Sequence, residues 1–412
     1  MSNLRDAMKS GHPPTLFAAF LYFDFCFAVW VLNGAMGPFL TQAFSLTPAQ
    51  TGLMVSIPTL AGALMRFPLG VIAQYIGRKN AAMVEMGLII VAMLFGWVFI
   101  SSYSDVIAMG VLLGIAGASF GVALSLGAGW FPPEHKGLAM GIAGAGNSGT
   151  VLALLFAPPL AQAYGWQNVY GFAALFMVVP LVVMLVFAKE PPDREHQSLK
   201  EHIRCLWEAD GWAFNLIYVI TFGGFIGLST FLPSFFYAQF GVTPVVAAQL
   251  TVLAALMGSA IRVVGGWAAD RLGGLLVLTV VLVSAIAVFL LISRSPSVAV
   301  TTVLFMVCFA VLGLGNGAVF QLVPHRWPHN TAVVSSMVGE VGALGGAVLP
   351  NVMGWSKQST GSFGPGFVAY AVLTGAVLLL LLFMRRRWAG TWVTAAGKPT
   401  NVTTGVHRIK AV

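Results

Sequence analysis

The chain reads as an all-α membrane protein, with twelve transmembrane helices arranged as two pseudo-symmetric six-helix bundles. Three observations predict this. Of its 412 residues, 58% are hydrophobic and only 8% charged, and the mean hydropathy is +0.88, a composition that suits lipid rather than a soluble core. The apolar residues gather into twelve runs long enough to cross a bilayer. A stretch of the first half also recurs in the second. Arg66-Phe67-Pro68-Leu69-Gly70-Val71-Ile72-Ala73-Gln74-Tyr75-Ile76-Gly77 is matched by Arg262-Val263-Val264-Gly265-Gly266-Trp267-Ala268-Ala269-Asp270-Arg271-Leu272-Gly273, with arginine, glycine, alanine and glycine at the same offsets.

In chain order the runs lie at about 14–40, 51–75, 80–100, 105–130, 136–163 and 168–188, then at about 212–238, 245–270, 274–293, 298–323, 330–354 and 364–385. The first follows Arg5 and Lys9 and is too long for a signal-peptide core, so it is expected to stay as a span. The second and eighth carry the repeated arginines, and the fifth and eleventh are crowded with glycine. Between the sixth and seventh comes Lys189-Glu190-Pro191-Pro192-Asp193-Arg194, which opens the longest charged and proline-bearing stretch between helices. The expected division is an N-terminal six-helix bundle at 1–188, a cytoplasmic linker at 189–211, a C-terminal six-helix bundle at 212–385 and a cytoplasmic tail at 386–412.

Orientation follows from the 21 Lys and Arg residues. With both termini in the cytoplasm, seventeen of them fall inside, only Arg294 and Lys357 fall outside, and Arg66 and Arg262 remain within the membrane. The positive-inside rule thus supports both the helix count and the orientation, and a cell inner (plasma) membrane is the expected location. The net charge of +8 is explained by anionic membrane lipid at the cytoplasmic face and calls for no nucleic-acid partner. Cys26, Cys205 and Cys308 are scattered without metal-ligand spacing, so no metal is expected. The seven histidines fall in loops, at helix ends or in tails, which leaves no intramembrane ligand for haem. No cofactor, no catalytic residue and no enzyme activity are expected, and a monomer is.

Arg66 and Arg262 carry the functional reading. A guanidinium near the middle of a bilayer costs about 2.5–3.5 kcal/mol even on the lenient insertion scale, so two at equivalent positions call for a function. Each lies roughly one turn past the centre of its span, hence at comparable depth. Transporters built from two such bundles bind substrate at the interface near the midplane and rock around it. The expected cargo is an anion. A channel fits the paired halves less well than alternating access does.

The glycine-rich spans come next: Gly141, Gly144, Gly146 and Gly149 on the fifth, Gly339, Gly342, Gly345 and Gly346 on the eleventh. Taken alone, these spacings serve close helix packing. Asn147 adds an amide with two donors and an acceptor in a place where unsatisfied polar groups are expensive.

Gly144-Ala145-Gly146-Asn147-Ser148-Gly149 and Gly339-Glu340-Val341-Gly342-Ala343-Leu344-Gly345-Gly346 resemble the paired nitrate signatures of the nitrate/nitrite porter family, a branch of the major facilitator superfamily. Gly266 through Gly273 is similar to the superfamily's signature loop, whereas the first-half copy has Gln74 and Tyr75 where the general pattern has Asp and Arg. The resemblance covers nearly the whole chain. It implies the major facilitator fold and a nitrate/nitrite transporter, working by proton symport or by nitrate/nitrite exchange. It further implies that Arg66 and Arg262 grip the anion, that Asn147 supports it, that Tyr218 on the seventh helix belongs to the site, and that Phe120 and Phe320 form aromatic walls on the fourth and tenth. Without the family, the two phenylalanines are as well explained by helix packing and Tyr218 by an interfacial anchor.

The chemistry agrees. Nitrate is planar and weakly hydrated, and guanidinium is a planar fork that donates parallel hydrogen bonds to two oxygens. Short carboxylates such as formate or oxalate would suit two arginines as well and form the alternative reading. For coupling, the acids within the spans are Glu340, inside the eleventh-helix signature, then Asp24, and Glu85, which is expected near the cytoplasmic interface in a solvated structural role.

Overall fold

The computed structural model describes residues 10–192, 207–327 and 331–399, so most of the expected linker and the end of the tail lie outside the described residues. Twelve long helices account for nearly all of the rest. In the first half these are α1 (Pro13–Trp30), α2 (Pro48–Ile76), α3 (Arg78–Phe99), α4 (Tyr103–Ala128), α5 (Ala139–Tyr164) and α6 (Trp166–Phe187). In the second they are α7 (Ala209–Phe240), α8 (Pro244–Leu272), α9 (Gly274–Ile292), α10 (Val298–Arg326), α11 (Thr331–Thr360) and α12 (Gly364–Trp388). Short helical pieces, Leu32–Ala35 and Gly37–Phe44, carry α1 on toward α2.

Among the described residues, eleven helices are apolar and long enough to cross a membrane. In α11, 30 residues long, one face is given to Gly339, Gly342, Gly345, Gly346, Ser336 and Glu340. That face looks inward. Apolar side chains such as Leu64, Val98, Val186 and Leu379 cover the outer surface instead, as a lipid solvent requires.

The repeat seen in sequence governs the packing. Thr47 and Thr243 cap α2 and α8, each accepting a hydrogen bond from a backbone N–H three residues on, and each helix begins with proline and runs 29 residues. The two caps are separated by the same chain distance as Arg66 and Arg262. So are Gly77 and Gly273, which join α2 to α3 and α8 to α9 without a loop at φ of 92° and 103°. A side chain is strained there, and at Gly77 a Cβ would also meet the Glu190 carboxylate at 3.0 Å. That carboxylate accepts from the backbone N–H groups of Arg78 and Lys79, so Glu190 caps the start of α3. In each half the second helix packs on the fourth and the third on the sixth.

The halves meet through α2 against α11, α5 against α8, and the extension of α1 against α7. They approach most closely at one end. Gly52 faces the Pro350 carbonyl and Gly354 the Pro48 carbonyl, where a methyl group would come within 2.5 and 2.4 Å. Gly34 lies equally tight on Thr230, and Ser56 donates across the interface to the Ala347 carbonyl at 2.8 Å. Glycine here lets backbones touch, and this end is sealed.

Candidate functional site

Arg66 projects from α2 into the interface and is only 5% exposed. Its Nε donates to the Gly117 carbonyl of α4 at 3.0 Å, and one terminal nitrogen donates to the Gly339 carbonyl of α11 at 2.7 Å. One guanidinium therefore ties the two halves together. Its plane lies against two rings, Trp30 at 5.4 Å and Phe120 at 5.2 Å. Trp30 is itself fixed by donating to the Pro58 carbonyl at 2.6 Å. The remaining terminal nitrogen is buried and has no hydrogen-bonding partner among the described residues. An unsatisfied donor on a buried cation is expensive, and an acceptor carrying negative charge would satisfy it.

Arg262 occupies the equivalent place on α8, partly buried, with its guanidinium 5.9 Å from the Phe320 ring. Tyr218 lies close enough to both arginines to feel their charges, and it meets the Arg262 side chain. Its ring stacks on Phe222 at 5.1 Å and turns its edge to Phe320 at 5.0 Å. The backbone after Tyr218 widens into one π-helical turn, Val219–Gly223, a distortion common where a helix serves a site. The structure thus brings Arg66, Phe120, Arg262, Phe320 and Tyr218 into one aromatic-walled region between the halves.

Asn147 sits on a 3-10 turn, Ala145–Ser148, that interrupts α5. It is buried, the turn packs against α1 and α8, and its amide has no hydrogen-bonding partner among the described residues. Among the described residues no hydrogen bond joins it to either arginine. The signature glycines have packing roles that the geometry makes plain. On α5, a methyl at Gly149 would fall 1.9 Å from the Asp24 carbonyl and one at Gly146 2.7 Å from the Phe23 ring, so α5 lies directly on α1. Gly144 is less constrained, with only Leu124 in ordinary contact. On α11, methyls at Gly342, Gly345 and Gly346 would strike Tyr218, Val219 and Ile226, so α11 lies directly on α7. The two signatures do the same job in equivalent halves.

The acids divide into three situations. Glu340 accepts from Ser336 Oγ at 3.1 Å and lies within the electrostatic reach of Arg66. Asp24 accepts from Ser148 Oγ at 2.6 Å, next to Asn147. Glu85 corrects the expectation of a solvated residue: it is 1% exposed, because α3 turns it inward, and it accepts from the Tyr22 hydroxyl of α1. Sequence reasoning also missed Trp30 and the Gly117 and Gly339 carbonyls that hold Arg66. Main-chain acceptors leave no trace in residue identity, although the repeat of Gly117-Ala118 and Gly317-Ala318 marks where backbone approaches closely.

The family model of the Major Facilitator Superfamily matches residues 18–350. The chain belongs to this superfamily. Solved structures agree on the fold: a bacterial homologue of the human lysosomal transporter Spinster has a TM-score of 0.73 at 17% identity, and a D-xylose-proton symporter 0.71 at 14%, each over 90% of this chain and 96% of the other. Among curated relatives, the nitrite extrusion protein of Bacillus subtilis (strain 168) is 30% identical over 87% of this chain and 91% of its own length. The probable nitrate/nitrite antiporter NarK1 of Thermus thermophilus is 28% identical over 84% and 85%, and the probable nitrate transporter NarT of Staphylococcus haemolyticus (strain JCSC1435) is 26% identical over 84% and 90%. The resemblance to nitrate/nitrite porters drawn from the two signatures is borne out by these relatives. This superfamily member is a multi-pass membrane transporter.

Proposed function

We propose that the protein carries nitrate and nitrite across the cell's inner (plasma) membrane by alternating access, with Arg66 and Arg262 as the paired anion ligands. The observation that carries the reading is the unpartnered terminal nitrogen of Arg66, buried beside two aromatic faces at the interface of the halves. A planar anion bound there would accept from Arg66 and Arg262 together. Phe120, Phe320 and Tyr218 would cover it and keep water away, which strengthens charge-assisted bonds. Asn147, on the interrupted α5, would supply a neutral donor. The names of the curated relatives support nitrate and nitrite as the anions.

With both termini in the cytoplasm, the closely packed end formed by Gly52, Gly354 and Ser56 faces outward. A 1–188 bundle rocking against a 212–385 bundle, joined by the 189–211 linker, would open that end around the arginines. Glu340 and Asp24 are the coupling candidates, Glu340 because it shares the field of Arg66 and Asp24 because Ser148 links it to the first signature.

The test is flux in liposomes containing purified protein. Nitrate uptake is measured with and without internal nitrite, and with an imposed pH gradient, against a competition panel that includes formate and oxalate. Saturable uptake accelerated by internal nitrite supports exchange, and uptake driven by the gradient alone supports symport. Uptake of formate or oxalate in preference to nitrate rejects the substrate assignment.

A further inference from the structure

Glu85 stands apart from the site. It is buried at 1% exposure on α3, and one carboxyl oxygen accepts from the Tyr22 hydroxyl while the other has no hydrogen-bonding partner among the described residues. The ionisable neighbours that bear on it are Tyr22 and Cys26, both on α1, and neither supplies positive charge. Among the described residues, α2, α4 and α6, which pack against α3, give it no ion pair. An ionised carboxylate in that setting would have one donor and no counter-cation in a low-dielectric interior, which costs several kcal/mol. A neutral carboxylic acid meets the same surroundings at far lower cost.

The position is also connected to the transport site. Cys26 lies within the electrostatic reach of Glu85 and bonds to Ser119, and Ser119 immediately precedes Phe120, whose ring covers Arg66. Tyr22 is two residues from Asp24, which α5 engages through Ser148. Tyr22 and Tyr218 moreover stand at the same chain separation as Arg66 and Arg262, so they are repeat equivalents. One tyrosine faces the arginines and the other faces an acid.

We propose that Glu85 and Tyr22 form a proton-binding site inside the N-terminal half, separate from the anion site and occupied by a proton in the conformation seen here. The proton is held on the Glu85 carboxyl group and stabilised by the Tyr22 hydroxyl, and movement of α1 during rocking is what alters its environment. The link to anion movement rests on the proposed nitrate reading, whereas the presence of the proton does not.

Infrared spectroscopy of the purified protein in liposomes tests both parts. At neutral pH the wild type is expected to show a carboxylic-acid carbonyl band, sensitive to deuterium exchange, that is absent in Glu85→Gln and retained in Glu340→Gln. Tyr22→Phe is expected to shift this band to higher frequency, because the carbonyl loses its donor. A spectrum unchanged by Glu85→Gln overturns the proton site, and an unshifted band in Tyr22→Phe overturns the pairing. Addition of nitrate or nitrite is then expected to perturb the band in wild type. If arginine bands respond to the anion and the acid band does not, the coupling of this site to transport is overturned. If no band responds, the nitrate reading fails while the proton site stands on the band lost in Glu85→Gln.

Discussion

Replacing Arg66 by lysine keeps the charge and removes the fork. In the structure Nε holds the Gly117 carbonyl at 3.0 Å, one terminal nitrogen holds the Gly339 carbonyl at 2.7 Å, and the other, without a partner among the described residues, is the one proposed to meet substrate. A lysine ammonium has three donors on a single atom and cannot reach carbonyls on α4 and α11 while also presenting a donor in the plane of the anion. At least one charge-assisted hydrogen bond is lost. Such bonds contribute about 1.5–3 kcal/mol each, which corresponds to a drop in affinity of about ten- to a hundredfold. Arg66→Lys is therefore expected to reach the membrane, to elute as a single species in detergent, and to bind nitrate at least about tenfold more weakly by calorimetry, with counterflow in liposomes reduced in step. Arg262→Lys is expected to behave alike, since its guanidinium lies in the same relation to Phe320. Near-normal nitrate affinity in either variant would refute the central-site reasoning.

Two further substitutions probe the signatures. Asn147→Asp is expected to impair nitrate binding more than Asn147→Ala does, because a carboxylate opposes the field of the arginines, and equal losses measured by calorimetry would assign Asn147 to packing. Gly342→Ala places a methyl 2.3 Å from the Tyr218 ring, which stacks on Phe222 and has no room to retreat. The expected cost is about 1–3 kcal/mol of overpacking, seen as a lower melting temperature together with weakened anion binding, and a variant with unchanged transport would show that Tyr218 need not hold its position.

The number and order of the helices were legible because lipid leaves a strong signal in composition and positive charge marks one side. The eleventh run at 330–354 was marked with the rest, and omitting it would reverse the sidedness of every basic residue after it. The arginines were legible for the same reason, because a cation is costly in that solvent. What the sequence could not convey was which way a helix turns its residues. Glu85 lies two turns from Arg78 and Lys79, and chain distance alone puts it near the interface, yet the rotation of α3 buries it against Tyr22. Trp30 was hidden likewise, since nothing in its own run distinguishes a ring that covers Arg66 from one that faces lipid.

Charge counting makes Glu340 the sharpest test of coupling. In the proposed site, a Glu340 carboxylate beside two arginines would leave a single net positive charge when empty, and one bound nitrate would bring it to neutral. If nitrate binds together with a proton on Glu340, the loaded site again carries one positive charge, the same as the empty site. Exchange then moves a neutral site in both directions, and symport moves the same charge loaded as it returns empty, so neither mode drags a doubly charged site through a low-dielectric interface. Glu340→Gln removes this balance. Its empty site carries two positive charges and its loaded site one, so the step that suffers is the empty return. Nitrate uptake driven by a pH gradient is therefore expected to be lost, while exchange of external nitrate for internal nitrite, which never needs the empty return, persists. Flux in liposomes under the two conditions measures both. Gradient-driven uptake that survives in Glu340→Gln would remove this glutamate from the charge balance, and if Asp24→Asn then abolished it, the coupling role would pass to the acid that Ser148 holds against the first signature.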